Sequence, residues 1–199
     1  MTGKREAKRT ELKQKLLDSA IKRIDRDGID SLRARDLAND AGCALGAIYN
    51  IYKDLDELVF DAKVTIFTQM EDQLATAMNG TEALSPLDRM VRLSEQYYGF
   101  ATSNRNLWSA LFDGDLTDGR EIPVWYQRAL ERLMGHIAVP LKQLDPSLSA
   151  EQISLKTRTL FSVVHGIVLL SIQDRPSGVK PDEVPEAIGW VLKSVCNSL

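Results

Sequence analysis

"AGCALGAIYNIYKDLDEL", residues 41–58, is the stretch on which the fold turns. Gly42 interrupts a short apolar pattern made by Leu37, Ala38 and Ala41. A second short segment follows, from about Leu45 to Tyr52, with Ile48 placed to pack back on the first. A third then opens on a run of acids, with Asp54 and Glu57 in capping-box spacing. Two short helices joined by a tight glycine turn, lying over a longer helix, make a helix-turn-helix. In that motif the second short helix enters the major groove of DNA and its first residues reach base edges. Short α-hairpins also occur in folds that bind no nucleic acid, and the part of this one that should meet a partner is nearly bare of polar side chains.

The longer helix lies upstream. Leu12, Leu16, Ala20 and Ile24 recur every four residues, with Leu17 and Ile21 beside them, until Gly28 ends the pattern. Downstream, Leu58, Ala62, Ile66, Met70 and Leu74 continue the helix that opens at Asp54, to near Asn79-Gly80. Pro86 suits the first turn of a helix carrying Met90, Leu93, Tyr97 and Phe100. A loop, "DGDLTDGREIP", covers residues 113–123, and a helix covers roughly Val124 to Leu144. Ser149 and Gln152, again in capping-box spacing, open a long apolar helix to about Asp174. The last helix sets Val184, Ile188, Val191, Val195 and Leu199 on one stripe. Nothing reads as strand. The expectation is an all-α chain of about nine helices, with a three-helix head over residues 1–54 and a larger helical part over 55–199.

At 44% hydrophobic and 27% charged, the 199 residues have the composition of an ordinary soluble globular protein. No apolar run is expected to approach the ~18 residues a membrane helix needs, and the N-terminus is charged rather than signal-like. Cys43 and Cys196 lie far apart, so neither a disulfide framework nor a zinc site is expected, and a reducing cytoplasm fits. Net charge is −3, but it is unevenly spread: residues 1–35 hold eleven Lys/Arg against six Asp/Glu, and the remainder hold fourteen against twenty-two. Only the N-terminal end is suited to an anionic partner. A solvated helix face would show the same excess.

Residues 16–62, "LLDSAIKRIDRDGIDSLRARDLANDAGCALGAIYNIYKDLDELVFDA", resemble the N-terminal domain of TetR-type bacterial repressors. The landmarks are Ala20, Gly28, Leu37-Ala38, Ala41-Gly42, Gly46, Ile48-Tyr49, Tyr52 and Leu58, collinear without a gap. The resemblance implies a homodimer, a double-stranded operator with two half-sites, and a C-terminal domain that senses a small molecule. Three positions depart from the family pattern. Ala44 stands where Ser or Thr usually caps the recognition helix, a loss that typically costs ~0.5–2 kcal/mol locally. Leu45 stands where a polar residue often follows the cap, and Leu55 where a lysine usually touches a phosphate.

Some readers remain. Arg33 and Arg35 begin the second helix, where the family places base or phosphate contacts, and an arginine pairs bidentately with guanine. Tyr49 can donate to a phosphate, and Asn50 to a base or phosphate. Ala44, Leu45 and Ala47 can pack on thymine methyl groups, and Gly46, a family landmark, is counted with them at the DNA face. Lys53 lies near a phosphate-facing helix start, whose free N–H groups also suit an anion. Lys4, Arg5, Lys8 and Arg9 suit a mobile arm over the backbone. Spacing three also fits Tyr49 and Tyr52 to core packing; Tyr52 is read as core and Tyr49 as a DNA contact.

The second part contains no catalytic set, no cofactor motif and no metal-ligand cluster. Residues 113–124 place Asp113, Asp115 and Thr117 like the first ligands of a calcium loop, but Asp118 replaces the required glycine and Val124 the glutamate. Residues 97–126 hold seven of the thirteen aromatics. Such a cluster is either core or the lining of an apolar ligand cavity. The expected lining is Tyr97, Phe100, Trp108, Phe112, Trp125 and His165. "YYGFATSNRNLWSALF" and "TLFSVVHGIVLLSI" loosely resemble a TetR subtype with tryptophan, histidine and glycine in the latter segment; His165-Gly166 match, and Ser162 stands in the tryptophan's place. An isolated histidine on an apolar helix also reads as a satisfied core residue. The last two helices carry apolar residues on more than one face, which suits a four-helix dimer interface through Val164, Ile167, Val168, Ile188, Val191 and Val195. The leading expectation is a ligand-responsive repressor. Its rivals are a helical adaptor or ligand-binding protein with a degenerate head, and an all-α enzyme lacking a visible catalytic set.

Overall fold

The computed structural model describes residues 2–113 and 124–196, apart from the side chains of Thr2, Trp125, Tyr126 and Ala129. Among the described residues there are nine α-helices, one 3₁₀ turn and no strand. In order they are α1 (Thr2–Asp27), the 3₁₀ turn η1 (Ile29–Ser31), α2 (Ala34–Asp40), α3 (Leu45–Ile48), α4 (Leu55–Met78), α5 (Pro86–Ser103), α6 (Arg105–Phe112), α7 (Val124–Leu144), α8 (Ala150–Ile172) and α9 (Val184–Cys196). Contacts group them into two compact units. One holds residues up to Thr68 together with α6; the other holds Gln69–Ser103 with α7, α8 and α9.

In the first unit, α1 packs on α2 and α6, and α2 packs on α3. The four-residue repeat of α1 becomes a core stripe: Leu16, Ala20 and Ile24 are fully buried, as are Leu37 and Ile48 from the two short helices. Gly42 makes the turn with φ of 67°, a left-handed conformation that strains any side-chain-bearing residue. Its N–H donates to the Asn39 carbonyl at 3.1 Å, and the Cys43 N–H donates to the Ala38 carbonyl at 2.9 Å. The far end of α2 is tied to α1 by a bidentate pair, Arg23 to Asp40 at 2.6 and 3.0 Å, with the Ser19 hydroxyl donating to the same carboxylate at 2.8 Å. The Arg23 and Ser19 hydrogen bonds hold the Asp40 carboxyl down at about 2.

Two expectations change here. The helix read as Leu45 to Tyr52 ends at Ile48, and the chain then tightens, with the Asn50 N–H on the Ala47 carbonyl at 3.3 Å and the Ile51 N–H on the Ile48 carbonyl at 2.9 Å. Ala44 supplies no capping oxygen, and Gly46 adds an unfavourable helical residue, so little favours a longer helix. The basic arm, in turn, is helical: Lys4, Arg5, Lys8 and Arg9 lie on α1. The Thr10 hydroxyl bonds the Glu6 carbonyl at 3.1 Å, and Lys15 pairs with Glu11 one turn away at 2.7 Å.

Helix α6 is fastened within this unit by polar contacts. Asn106 donates to the Asp25 carbonyl at 2.7 Å. Lys63, only 3% exposed, donates through Nζ to the Asp113 carbonyl at the end of α6, at 2.7 Å. Burial lowers the Lys63 pKa and raises that of the Asp113 carboxyl.

In the second unit, α5 packs on α7, α8 and α9, α7 packs on α8, and α8 packs on α9. Ser149 and Gln152 form the expected reciprocal cap at the start of α8, at 3.2 and 2.8 Å. Thr157, Leu160, Val164, Val168 and Ser171 make the buried stripe of α8; Val184, Ile188, Leu192 and Cys196 make that of α9. The six residues expected at a dimer face differ in how far their own chain covers them. Val164, Val168 and Ile188 lie inside their own chain, Ile167 and Val191 are half-buried, and Val195 alone of the six is exposed. The apolar side chains left outside are Leu155, Val163 and Leu170 on α8 and Trp190 and Val195 on α9, with Trp190 70% exposed. Periodicity identified the apolar positions but not which of two faces the chain itself covers. Counting unbroken apolar runs also understated α8, which is long and apolar enough to cross a membrane by length and composition.

Candidate functional site

The first unit presents the residues expected to meet DNA. Arg35 is exposed in the first turn of α2. Arg33 is exposed too, and one of its terminal nitrogens donates to the Asp30 and Leu32 carbonyls, both at 2.8 Å. It closes the η1 turn ahead of α2. Around α3, Ala44, Gly46 and Asn50 are exposed, and Ala47 is half-buried. Leu45 is 42% exposed and Tyr49 53%, whereas Tyr52 is buried at 2%. The two tyrosines thus divide, Tyr52 into the core and Tyr49 out of it. Lys13 sits over the Tyr52 ring, 5.4 Å from its centroid, and pairs with Asp61 at 2.8 Å. An open basic cleft lies between α1 and α3, lined by Arg5, Lys8 and Arg9 on one side and Ala47, Asn50 and Ile51 on the other.

At the start of α4 Asp54 caps Glu57 as its spacing suggests, while the Glu57 side chain reaches back to Lys53. The Glu57 N–H donates to Asp54 Oδ1 at 2.9 Å, and the Lys53 N–H donates to Glu57 Oε2 at 2.6 Å. A carboxylate thus takes the Glu57 N–H, one of the leading donors of α4, and Asp56 adds a third acid around the first turn. Exposed Lys53 keeps its side chain for an anion, but the helix start itself is a poor phosphate site.

The second unit contains a cavity of about 40 Å³ between α4, α5, α7, α8 and α9. Its walls are mostly aliphatic, including Leu74, Met90, Leu160 and Val164, with Tyr97, Phe161 and His136 as the aromatic and polar elements. Tyr97 is tied to His165, its Oη 2.9 Å from Nδ1. Phe161 stacks on His165 at 5.4 Å and meets Tyr97 edge-on at 6.1 Å. Burial pushes the His165 pKa down, so the imidazole is held neutral.

Of the six expected lining residues, Tyr97 lines this cavity and His165 supports its wall. Phe100 is buried but is not part of the lining. Trp108, fully buried, and Phe112 meet at a tilt with ring centroids 5.2 Å apart in α6, within the first unit, and do not line it. The Trp125 side chain and residues 114–123 of the calcium-like loop lie outside the described residues. His136 and Phe161 were not foreseen. Phe161 was legible in principle, because it sits one helical turn before His165.

Residues 90–194 match the family model described as the tetracyclin repressor-like C-terminal domain. Over 171 residues the chain is 24% identical to the HTH-type nicotine-responsive transcriptional repressor HdnoR of Paenarthrobacter nicotinovorans, covering 81% of this chain and 84% of that protein. A solved structure of a protein of unknown function from Rhodococcus sp. RHA1 is similar with a TM-score of 0.75 and 23% identity, covering 94% and 95% of the two chains. A TetR-like transcriptional regulator from the same strain is similar with a TM-score of 0.64 and 19% identity, covering 92% and 95%. At these identities the solved structures speak for the fold.

Proposed function

This chain belongs to the TetR family of transcriptional regulators, and from that premise we propose that it is a homodimeric repressor released from a palindromic operator by a small apolar or aromatic molecule. The division of labour would be a DNA-binding head over residues 1–54 and an effector-binding and dimerisation domain over 55–199. The observation that carries the reading is the exposure of Leu45 and Tyr49 around α3, 42% and 53%. The head's own core leaves these side chains uncovered beside the basic cleft of α1, where a major groove would offer them thymine methyls and phosphates. The Tyr97-, Phe161- and His136-lined cavity supports a small-molecule effector, as does the similarity to a repressor named for its response to nicotine. The exposed apolar side of α8 and α9 would be covered by a second copy of the chain rather than by lipid, and the site of action would be the cytoplasm.

A band-shift against the DNA flanking its own coding region tests this, with competitor DNA of random sequence. A small molecule retained through purification and identified by mass spectrometry would then be asked to release the shifted band. A second reading, a ligand-binding protein whose head has lost DNA affinity, draws on the uncapped α3 and the acids at the start of α4. It requires that no specific shift be found while the ligand is retained.

A further inference from the structure

Two hollows in the second unit share a wall. The inner one is the cavity of about 40 Å³ beside Tyr97 and Phe161. The outer one is a cleft of about 420 Å³ between the end of α4, the α4–α5 connection, α5 and α7. Leu93 of α5 and His136 of α7 line both. The inner cavity alone has room for little more than water or a short apolar group. Ligand sites commonly measure ~300–1,000 Å³. The outer cleft falls in that range, so a ligand that reaches the aromatic wall must straddle the partition.

The partition sits where α7 is weakened. Pro140 lies inside the helix and has no N–H to donate to the His136 carbonyl one turn earlier. Gly135, beside His136, lines the outer cleft, and a Cβ placed there would meet no atom within 4 Å. His136 Nε2 is buried and has no hydrogen-bond partner among the described residues.

The outer cleft also holds an arginine without an acid. Arg132 is paired with Glu71 at 3.0 Å. Glu82 is exposed at the cleft. Arg89 meets only the neutral amide of Gln143, and its Nε is buried with no hydrogen-bond partner among the described residues. A half-buried guanidinium in this state is stabilised by any anion that reaches it, through charge-assisted hydrogen bonds.

We propose that the effector is an amphipathic organic anion. Its acidic head binds Arg89 in the outer cleft, and its apolar body passes Leu93 and His136 toward Tyr97 and Phe161. This rests on the effector reading above and specifies its chemical class.

The test uses two fluorescent probes with the same rings: 1-anilinonaphthalene-8-sulfonate, which carries an acidic head, and N-phenyl-1-naphthylamine, which does not. Each is titrated into the full-length protein. The wild type is expected to bind the sulfonate about tenfold more tightly, the scale of one charge-assisted hydrogen bond. Arg89→Met should remove that preference without weakening the neutral probe, and Arg89→Lys should retain part of it. His136→Trp should weaken both probes by obstructing the partition. Equal wild-type affinities, or a preference that survives Arg89→Met, overturn the proposal. Circular dichroism checks the fold of each variant, with Arg89→Gln in reserve should the methionine variant not fold. Operator binding without probe is measured separately, so loss of the repressor reading and loss of this site are distinguishable.

Discussion

Tyr97 Oη lies 2.9 Å from Nδ1 of His165, joining α5 to α8 across 68 positions of sequence. The imidazole pKa is lowered from 6.5 by burial. A base with a depressed folded pKa contributes fully above its unfolded value, and stability is lost as pH falls from there toward the folded value, because only the unfolded chain takes up the proton. Urea denaturation should therefore show the wild type losing stability below about pH 6.5. His165→Gln should flatten that part of the profile; an unchanged slope would show that His165 does not titrate in this way.

Tyr97→Phe keeps the ring and removes the hydroxyl. It leaves Nδ1 of a half-buried imidazole without this partner, which should cost about 1–3 kcal/mol. Chemical denaturation of the variant measures it, and a loss well under that range means that water reaches the nitrogen.

The head has its own acid limb. Asp40, held at about 2 by Arg23 and Ser19, is a depressed carboxyl. Its contribution is present above pH 3.8 and is lost as pH falls through about 2. Asp40→Asn should remove that limb from acid unfolding followed by circular dichroism, and should loosen α2 from α1.

Dimerisation is expected through the outer face of α8 and α9. Trp190→Asp alters a side chain that is 70% exposed in one copy, so the protomer should stay folded while the dimer must bury an unpaired charge. Sedimentation velocity at micromolar concentration should give a dimer for the wild type and a monomer for the variant. A wild-type monomer ends the idea.

Much of this was legible in the sequence. The all-α class followed from helical spacing, and the helix-turn-helix from Leu37, Ala38, Gly42 and Ile48, all of which make contacts short in sequence. Ser149 and Gln152 marked a true helix start for the same reason. What remained hidden depends on tertiary packing. Nothing local says that Val164 points inward and Val163 outward, since both fit an apolar helix with two covered faces. Trp108 and Phe112 read as cavity lining because they fall within an aromatic cluster in sequence, yet α6 packs on α1 and takes them into the first unit. The two carbonyls that accept from one Arg33 nitrogen, those of Asp30 and Leu32, depend on how the turn before α2 folds and have no signature in the spacing.

The acids at the start of α4 lead to a further expectation. Leu55→Lys sets a cation beside Asp54, Asp56 and Glu57, where a phosphate is now disfavoured. It should tighten binding to any duplex and steepen the salt dependence by about 0.9 log units if one phosphate contact is gained. Affinities for one random duplex across a salt series check it; an unchanged slope means that the position does not face the backbone.

The central proposal is that this head reads a DNA sequence and that it does so through Arg35. It is exposed in the first turn of α2, and no internal contact is shown to occupy it as the turn carbonyls occupy Arg33. The decisive measurement is the ratio of operator to random-duplex affinity for the wild type, Arg35→Ala and Arg33→Ala at matched salt. Arg35→Ala should cost about 1–3 kcal/mol on the operator and much less on random DNA, whereas Arg33→Ala should lower stability and leave the ratio near that of the wild type. A ratio unchanged by Arg35→Ala, or a wild type that does not distinguish the two duplexes, would contradict the account.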